Sequence, residues 1–297
     1  MLPGNTQHRS ERYRNFERRG DLTLMHTRRS ALSSVIKTEQ DGNVRTIILN
    51  RPDKMNAISD ELGWAVVSAV EDAAQDDSVW VIAMTGSGNA FCAGLDLTGE
   101  RDPTQSTLSP QSRQIDDIGW VGRFLLVLRE QCEKPVIAGI NGAAVGAGLA
   151  LAMAADIRIV ARNARLIAGY PRIGGSPDGG LSYTLVQAIG YEQAMRFMLE
   201  NKTVTGEDAV ALGMAGEMAE DEDIRTRLDE YCQGLAKWSP ITGRLTKRVM
   251  VKAAATIDLE NHVRFERDTI MRAFASEDAK ECRRAFIEKR DPVIKGR

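Results

Sequence analysis

The chain has 297 residues, 43% of them hydrophobic, and a formal net charge of −2. That length supports one large domain, or one domain with an appendage; the balanced charge points to neither a nucleic acid nor an acidic membrane as partner. Its only histidines are His8, His26 and His262, so zinc chemistry and a Ser-His or Cys-His couple are not expected in the central region, and no metal is predicted.

Four cysteines, Cys92, Cys132, Cys232 and Cys282, show no CxxC spacing. This predicts a reducing, cytoplasmic setting. Residues 1–30 hold seven arginines against three acids and lack apolar periodicity. They read as a mobile basic arm, the one segment where a nucleic acid could bind. Glu11, Glu17 and Asp21 argue against a transit peptide, and no apolar stretch reads as a secretory signal.

From Ser34 the pattern becomes regular. Residues 35–39 and 44–50, with a turn at Asp41-Gly42, predict a hairpin. Ser59 is placed to cap a helix whose apolar side is Leu62, Val66, Ala69, Val70 and Ala73. A buried strand over 79–85 leads to the glycine turn in Ala90-Phe91-Cys92-Ala93-Gly94-Leu95-Asp96-Leu97. Residues 98–113 read as a surface loop where a lid would sit, and a helix is expected over 115–131. A second buried strand, 135–140, leads to Asn141-Gly142-Ala143-Ala144-Val145-Gly146-Ala147-Gly148 and a helix from about residue 147. Residues 135–155 are uncharged and long enough to span a bilayer. Their glycines, Asn141 and the closing Asp156-Ile157-Arg158 predict instead a strand, a tight loop and a buried helix. Short strands follow over 157–161 and 164–168, then a helix from near Gly179 to Gly190. Beyond Thr205 helices are expected over 207–212, 223–237, 241–255, 260–274 and 279–289, an appended layer whose apolar side must pack on the core or on another subunit.

Glycine after a strand lets the backbone turn sharply and bring amides to a ligand. Two such turns can aim two N–H groups at one oxygen, which is how an oxyanion is held without a metal.

These residues resemble the crotonase family, the enoyl-CoA hydratase/isomerase superfamily. The resemblance runs from about Val35 to the C-terminus. It rests on five ordered motifs: Asn50-Arg51-Pro52-Asp53-Lys54-Met55-Asn56-Ala57; Phe91-Cys92-Ala93-Gly94-Leu95-Asp96-Leu97; Lys134-Pro135-Val136-Ile137-Ala138-Gly139-Ile140-Asn141-Gly142; Asp156-Ile157-Arg158; and Ala285-Phe286-Ile287-Glu288-Lys289-Arg290. It implies an α/β fold, a crotonase-like spiral of ββα repeats over residues 31–204, and a helical trimerisation region over 205–297. Homotrimers or dimers of trimers, and an acyl-CoA thioester as ligand, follow from it. Coenzyme A then belongs to the substrate, and no cofactor is held permanently.

The resemblance carries family roles onto particular positions. The amides of Leu95 and Ala147 match the pair that grips the thioester carbonyl, with the helix dipole aiding Ala147. Lys54, Ala93, Asp96, Phe286 and Lys289 match coenzyme-binding positions. A cation facing phosphate and a ring facing adenine are the physical basis for Lys54, Lys289 and Phe286; a solvated charge is the plain alternative for Lys289 and Lys54.

Hydratases of the family activate water with two glutamates. Their positions here are Ala150 and, in the Gly169-Tyr170 pair, Tyr170. Alanine cannot hold a proton, and a phenol with a reference pKa of ~10 is a poor base. Asp178 remains, where double-bond-shifting branches and an aromatic dehalogenase branch place a catalytic aspartate. An apolar pocket would raise its pKa and suit it to shuttling protons; a helix N-cap is its plain structural alternative. Tyr170 would donate a hydrogen bond or form a pocket wall. Asp116 and Asp117 are possible second acids, or ordinary first-turn carboxylates. Cys92 reads as a small buried residue. The expected activity is therefore the shift of a double bond in an unsaturated acyl-CoA. The alternatives are a hydratase, lyase or dehalogenase on the same scaffold, or a CoA- or RNA-binding relative without turnover.

Overall fold

The computed structural model describes residues 34–99, 105–255 and 258–297. The expected basic arm, residues 1–30, and residues 100–104 of the expected lid loop lie outside the described residues.

The chain opens with the hairpin β1 (Ile36–Asp41) and β2 (Val44–Leu49), antiparallel in register Asp41 to Val44. Ser59 then accepts the Leu62 amide at 3.3 Å and starts α1 (Asp60–Gln75). Leu62, Val66, Val70 and Ala73 are buried on one side of α1, as the 3.6-residue spacing requires.

Three ββα units follow. The first is β3 (Val81–Gly86), β4 (Ala90–Cys92) and the helices α2 (Pro110–Gln114) and α3 (Gly119–Leu125). The second is β5 (Val136–Ile140), β6 (Ala143–Val145) and α4 (Ala147–Ala154). The third is β7 (Ile157–Ala161), β8 (Arg165–Ile167) and α5 (Leu181–Ile189). Within each unit the first strand enters one sheet and the second strand enters another. Stacking the units gives a six-stranded sheet in the order β1-β2-β3-β5-β7-β10 and a four-stranded sheet in the order β4-β6-β8-β9. The units pair in parallel in both sheets. This is the crotonase spiral expected from the motifs.

The third unit continues into α6 (Tyr191–Glu200) and β9 (Thr203–Thr205), which closes the second sheet antiparallel to β8. Helix α7 (Gly206–Leu212) begins at a capping box between Thr205 and Asp208. Strand β10 (Glu217–Ala219) returns to pair in parallel with β7. The helical region drawn from residue 205 thus contributes a strand to the core sheet. Helices α8 (Ile224–Leu235), α9 (Pro240–Ala255), α10 (Leu259–Ala275) and α11 (Glu277–Glu288) complete the chain.

Two differences from the sequence reading have clear causes. The helix expected over 115–131 begins only at Gly119, because Asp116 turns back to accept the Ile118 and Gly119 amides and Gly119 has φ +64°; its second half, Leu126–Gln131, is π-helical. The short strands β6, β9 and β10 span three residues each, too few to carry a periodic signal; the helix α6 was not expected, although its buried Ala194 and Phe197 stand three residues apart.

The segment 135–155 forms β5, β6 and α4, and every residue of α4 is buried. Among the described residues no helix is long and apolar enough to cross a membrane. Helix α9 is fastened to the core by Lys247, whose buried Nζ meets Asp156 at 2.8 Å and the Lys134 carbonyl at 2.9 Å. Around α9, α10 and α11 lies an apolar cavity of about 920 Å3, bordered by Trp238, Met250, Val263, Ile270 and Phe274.

Candidate active site

The two glycine turns stand at the same end of neighbouring parallel strands, since Cys92 of β4 pairs with Ala144 of β6. Gly94 has φ +93°, and a β-carbon there would meet the Val145 carbonyl oxygen at 2.7 Å and the Ala147 nitrogen at 3.8 Å. Gly146 has φ +53° and ψ −121°, a conformation that glycine adopts without strain, and it delivers Ala147 as the first residue of α4. Only glycines allow this approach, which brings the backbone of Gly94 against that of Val145 and Ala147.

Both amides are free. Ile58 donates to the Gly94 carbonyl at 2.7 Å and accepts from Asp96 at 3.0 Å. In that parallel bridge the N–H of Leu95 faces the other way. Ala147 lies in the first turn of α4, where amides have no intrahelical partner. Among the described residues neither amide finds an acceptor. Ala147 is 5% exposed, so an anion there would meet a desolvated amide and a helix N-terminus together.

Two asparagines in the motifs brace the link between β3 and β4. Asn56 is fully buried; it accepts the Arg51 amide and donates to the carbonyls of Ser87 and Ala90. Asn141 accepts the Gly86 amide and donates to the Gly88 carbonyl at 2.9 Å. Sequence reasoning quoted both motifs but missed this role, which their side-chain amides alone could have signalled.

Asp178 and Tyr170 meet. The Tyr170 hydroxyl donates to Asp178 Oδ1 at 2.7 Å. Burial, and then this bond to the carboxylate, push the phenol's pKa up. Their loops pack on the second turn and its helix: a β-carbon on Gly169 would lie 2.9 Å from Val145 Cγ1, and one on Gly179 would lie 2.9 Å from the Ala150 Cβ. The N-cap alternative for Asp178 does not hold. The N-cap of α5 is Gly180, without a side-chain cap, and Asp178 contributes only its carbonyl, to the Leu181 amide. The apolar enclosure expected around Asp178 is also not formed: residues 171–178 are exposed in the single chain.

Ala150 is 1% exposed. The Gly179-Gly180 backbone fills the space beside its methyl group, where a longer side chain would have to stand.

Helix α3 turns Val121 and Leu125 toward Gly179 and Gly180. Its opposite side faces α1, with Arg123 over the Trp64 ring and Trp120 donating to Asp60. Asp116 is drawn to that side by Arg123 at 2.6 Å, and Asp117 is exposed. Among the described residues neither is hydrogen-bonded to Asp178.

Among the expected coenzyme positions, Ala93 donates its amide to the Met55 carbonyl, and Lys54, two residues beyond Pro52, is exposed. Asp96 binds within the chain. It accepts from the Thr98 hydroxyl and amide and from Arg51 at 2.9 Å, which together lower its pKa from 3.8 to about 2. Its carboxylate fixes the loop after Leu95. A hollow of about 210 Å3 beside it is lined by Ile58, Ser59, Asp60, Leu95 and Leu97. Phe286 is 86% exposed and Lys289 is exposed as well; Phe286 lies on α11 and Lys289 caps it, and α11 packs on α10. Cys92 is buried, and burial pushes its thiol up to about 12, so it is no nucleophile. Among the described residues no cluster of His, Cys, Asp or Glu could hold a metal ion.

A family profile described as Enoyl-CoA hydratase/isomerase matches residues 39–297. The chain belongs to the enoyl-CoA hydratase/isomerase family. It is 32% identical over 267 residues to 1,2-epoxyphenylacetyl-CoA isomerase of Escherichia coli (strain K12), covering 88% of this chain and 98% of that protein. It is 34% identical over 259 residues to a probable mitochondrial enoyl-CoA hydratase of Dictyostelium discoideum, covering 86% and 89%. A crystal structure of a probable enoyl-CoA hydratase/isomerase from Mycobacterium abscessus superposes with a TM-score of 0.79 at 27% identity, over 89% of this chain and all of that one. Enzymes of this family act on CoA thioesters without a permanent cofactor, and this chain is one of them.

Proposed function

We propose that the protein is an acyl-CoA isomerase that moves a double bond through a thioester enolate. The observation that carries this reading is the 2.7 Å hydrogen bond from Tyr170 to Asp178, which sets a single carboxylate beside the helix whose first amide is Ala147.

Asp178 takes a proton from the carbon next to the thioester of a 3-enoyl-CoA. The electron pair moves onto the thioester oxygen, held by the Leu95 and Ala147 amides. The double bond shifts by one carbon, and the carboxylic acid returns the same proton at the far end. No atom is gained or lost, so one base is enough. The enolate is the species the amides stabilise; removing one such donor costs roughly 3 kcal/mol of transition-state stabilisation. Tyr170 remains a neutral donor throughout and holds the carboxylate in place. Water addition needs a second acid-base group, and Ala150 supplies none.

Lys54, Phe286 and Lys289 would meet the coenzyme end of the substrate. The apolar cavity between α9 and α10 suits packing against further copies of this chain as a trimer, which sedimentation equilibrium tests directly.

The similarity to 1,2-epoxyphenylacetyl-CoA isomerase favours a second isomerisation, of an epoxide-bearing aromatic acyl-CoA. A panel of 3-enoyl-CoA, 2-enoyl-CoA and epoxyphenylacetyl-CoA substrates, followed by ultraviolet absorbance and by α-proton exchange in heavy water, separates these readings. Isomerisation and exchange that both vanish in Asp178→Asn are expected. Full exchange in that variant overturns the assignment.

A further inference from the structure

The last residues of the chain double back along α11. Lys289 caps that helix with φ +54°, a left-handed conformation, and sends the backbone into reverse. The returning segment is then held at three successive levels of the helix. Glu281 accepts from Arg290 Nη1 at 2.6 Å and from the Val293 amide at 3.1 Å. Asp278, one turn nearer the start of the helix and 1% exposed, accepts the Lys295 amide at 2.8 Å, the Gly296 amide at 2.9 Å and the Ser239 hydroxyl at 3.0 Å. Its own amide donates to the Arg297 carbonyl, and Arg297 reaches Glu277 at 3.0 Å. The tail also touches the core. A β-carbon on Gly296 would meet the Trp80 ring, just before β3, at 3.3 Å, and Pro240, the first residue of α9, at 3.4 Å.

A buried carboxylate with two donors from the tail and one from Ser239 is held by all of them at once, and it is costly to leave half-satisfied. The pKa of the Glu281 carboxylate is lowered to about 2, first by Arg290 and then by Val293. Such an arrangement opens as a unit rather than fraying.

We propose that residues 290–297 form a strap that fixes α11 against the core and so sets the position of Phe286 and Lys289, with Asp278, Glu281 and Arg290 as positioning residues. The placement of coenzyme on Phe286 and Lys289 rests on the proposed function; the strap itself does not.

The test pairs hydrogen exchange on the full chain without ligand with calorimetric binding of coenzyme A itself. In the wild type the amides of Val293, Lys295 and Gly296 exchange together with the second half of α11. Arg290→Ala removes one exposed clasp and raises exchange in both segments by about tenfold, leaving β3 and β5 unchanged. Coenzyme A then binds several-fold more weakly, and adding Phe286→Ala causes no further loss. Tail amides that exchange freely in the wild type overturn the strap. Raised exchange with unchanged coenzyme affinity overturns its positioning role. A wild type that ignores coenzyme A sinks the functional reading and the positioning role with it, while the exchange data still judge the strap.

Discussion

The Tyr170 hydroxyl hydrogen-bonds the Asp178 carboxylate across eight residues of chain, at 2.7 Å. The phenol is buried while the acid is exposed, so the buried partner holds the exposed one. Tyr170→Phe removes only the hydroxyl. It is expected to lower turnover about tenfold, in line with a hydrogen bond to a charged group, with little change in thermal midpoint. Steady-state rates beside a melting curve decide this; an unaltered rate refutes the positioning of Asp178 by Tyr170.

The first glycine turn leaves no room for a methyl group. Gly94→Ala places a β-carbon 2.7 Å from the Val145 oxygen in a left-handed conformation. The strain is about 1–3 kcal/mol, and the Leu95 peptide must rotate to relieve it. Activity is expected to fall roughly 100- to 1000-fold, as for loss of one oxyanion donor. Binding of coenzyme A should survive. Single-turnover rates and calorimetry together distinguish this from general unfolding.

Restoring the missing hydratase carboxylate at position 150 should fail. Ala150→Glu puts a longer side chain into the narrow space beside Gly179, where a β-carbon on Gly179 would already lie 2.9 Å from the Ala150 Cβ. Overpacking of this kind costs about 1–3 kcal/mol. A lowered midpoint in urea unfolding and no hydration of 2-enoyl-CoA are expected. A stable variant that hydrates would mean that the Gly179 loop yields readily.

Asp96 gives the fold an acid-sensitive clasp. Its folded pKa, about 2, lies below the ordinary 3.8 because Thr98 and Arg51 favour the anion. Its contribution is therefore complete above about pH 4 and is lost as pH falls toward 2. Thermal midpoints of the wild type and Asp96→Asn should differ at pH 6 and converge between pH 4 and pH 2. A gap that stays constant over that window would assign the effect to packing instead.

Lys247 is nearly inaccessible and is paired with Asp156 at 2.8 Å. Lys247→Met leaves that carboxylate without its cation and should cost about 3–5 kcal/mol. Denaturant titration followed at Trp238, which lies on the same helical layer, reads this directly.

Much of the fold was legible because its signals are local. The Ser59 cap, the apolar side of α1 and the runs that became β3, β5 and β7 each need only a few neighbouring residues. Strands such as β6 and β10 span three residues each, too few for periodicity, and they exist because a parallel neighbour supplies their hydrogen bonds. The site was legible as motifs but not as geometry. Nothing adjacent to Asp178 announces Tyr170 as its donor, and nothing near Asp116 announces that Arg123 draws it away. Both are pairings across a loop.

Because β10 borrows its only ladder from β7, the boundary between spiral and helical layer is not a place where the polypeptide can be cut. Ending the chain at residue 204 would strip a hydrogen-bonded neighbour from β7 and leave an apolar strand margin bare. Such margins invite other chains to stack on them. A shortened version should therefore come out of cells as insoluble material, not as a smaller enzyme.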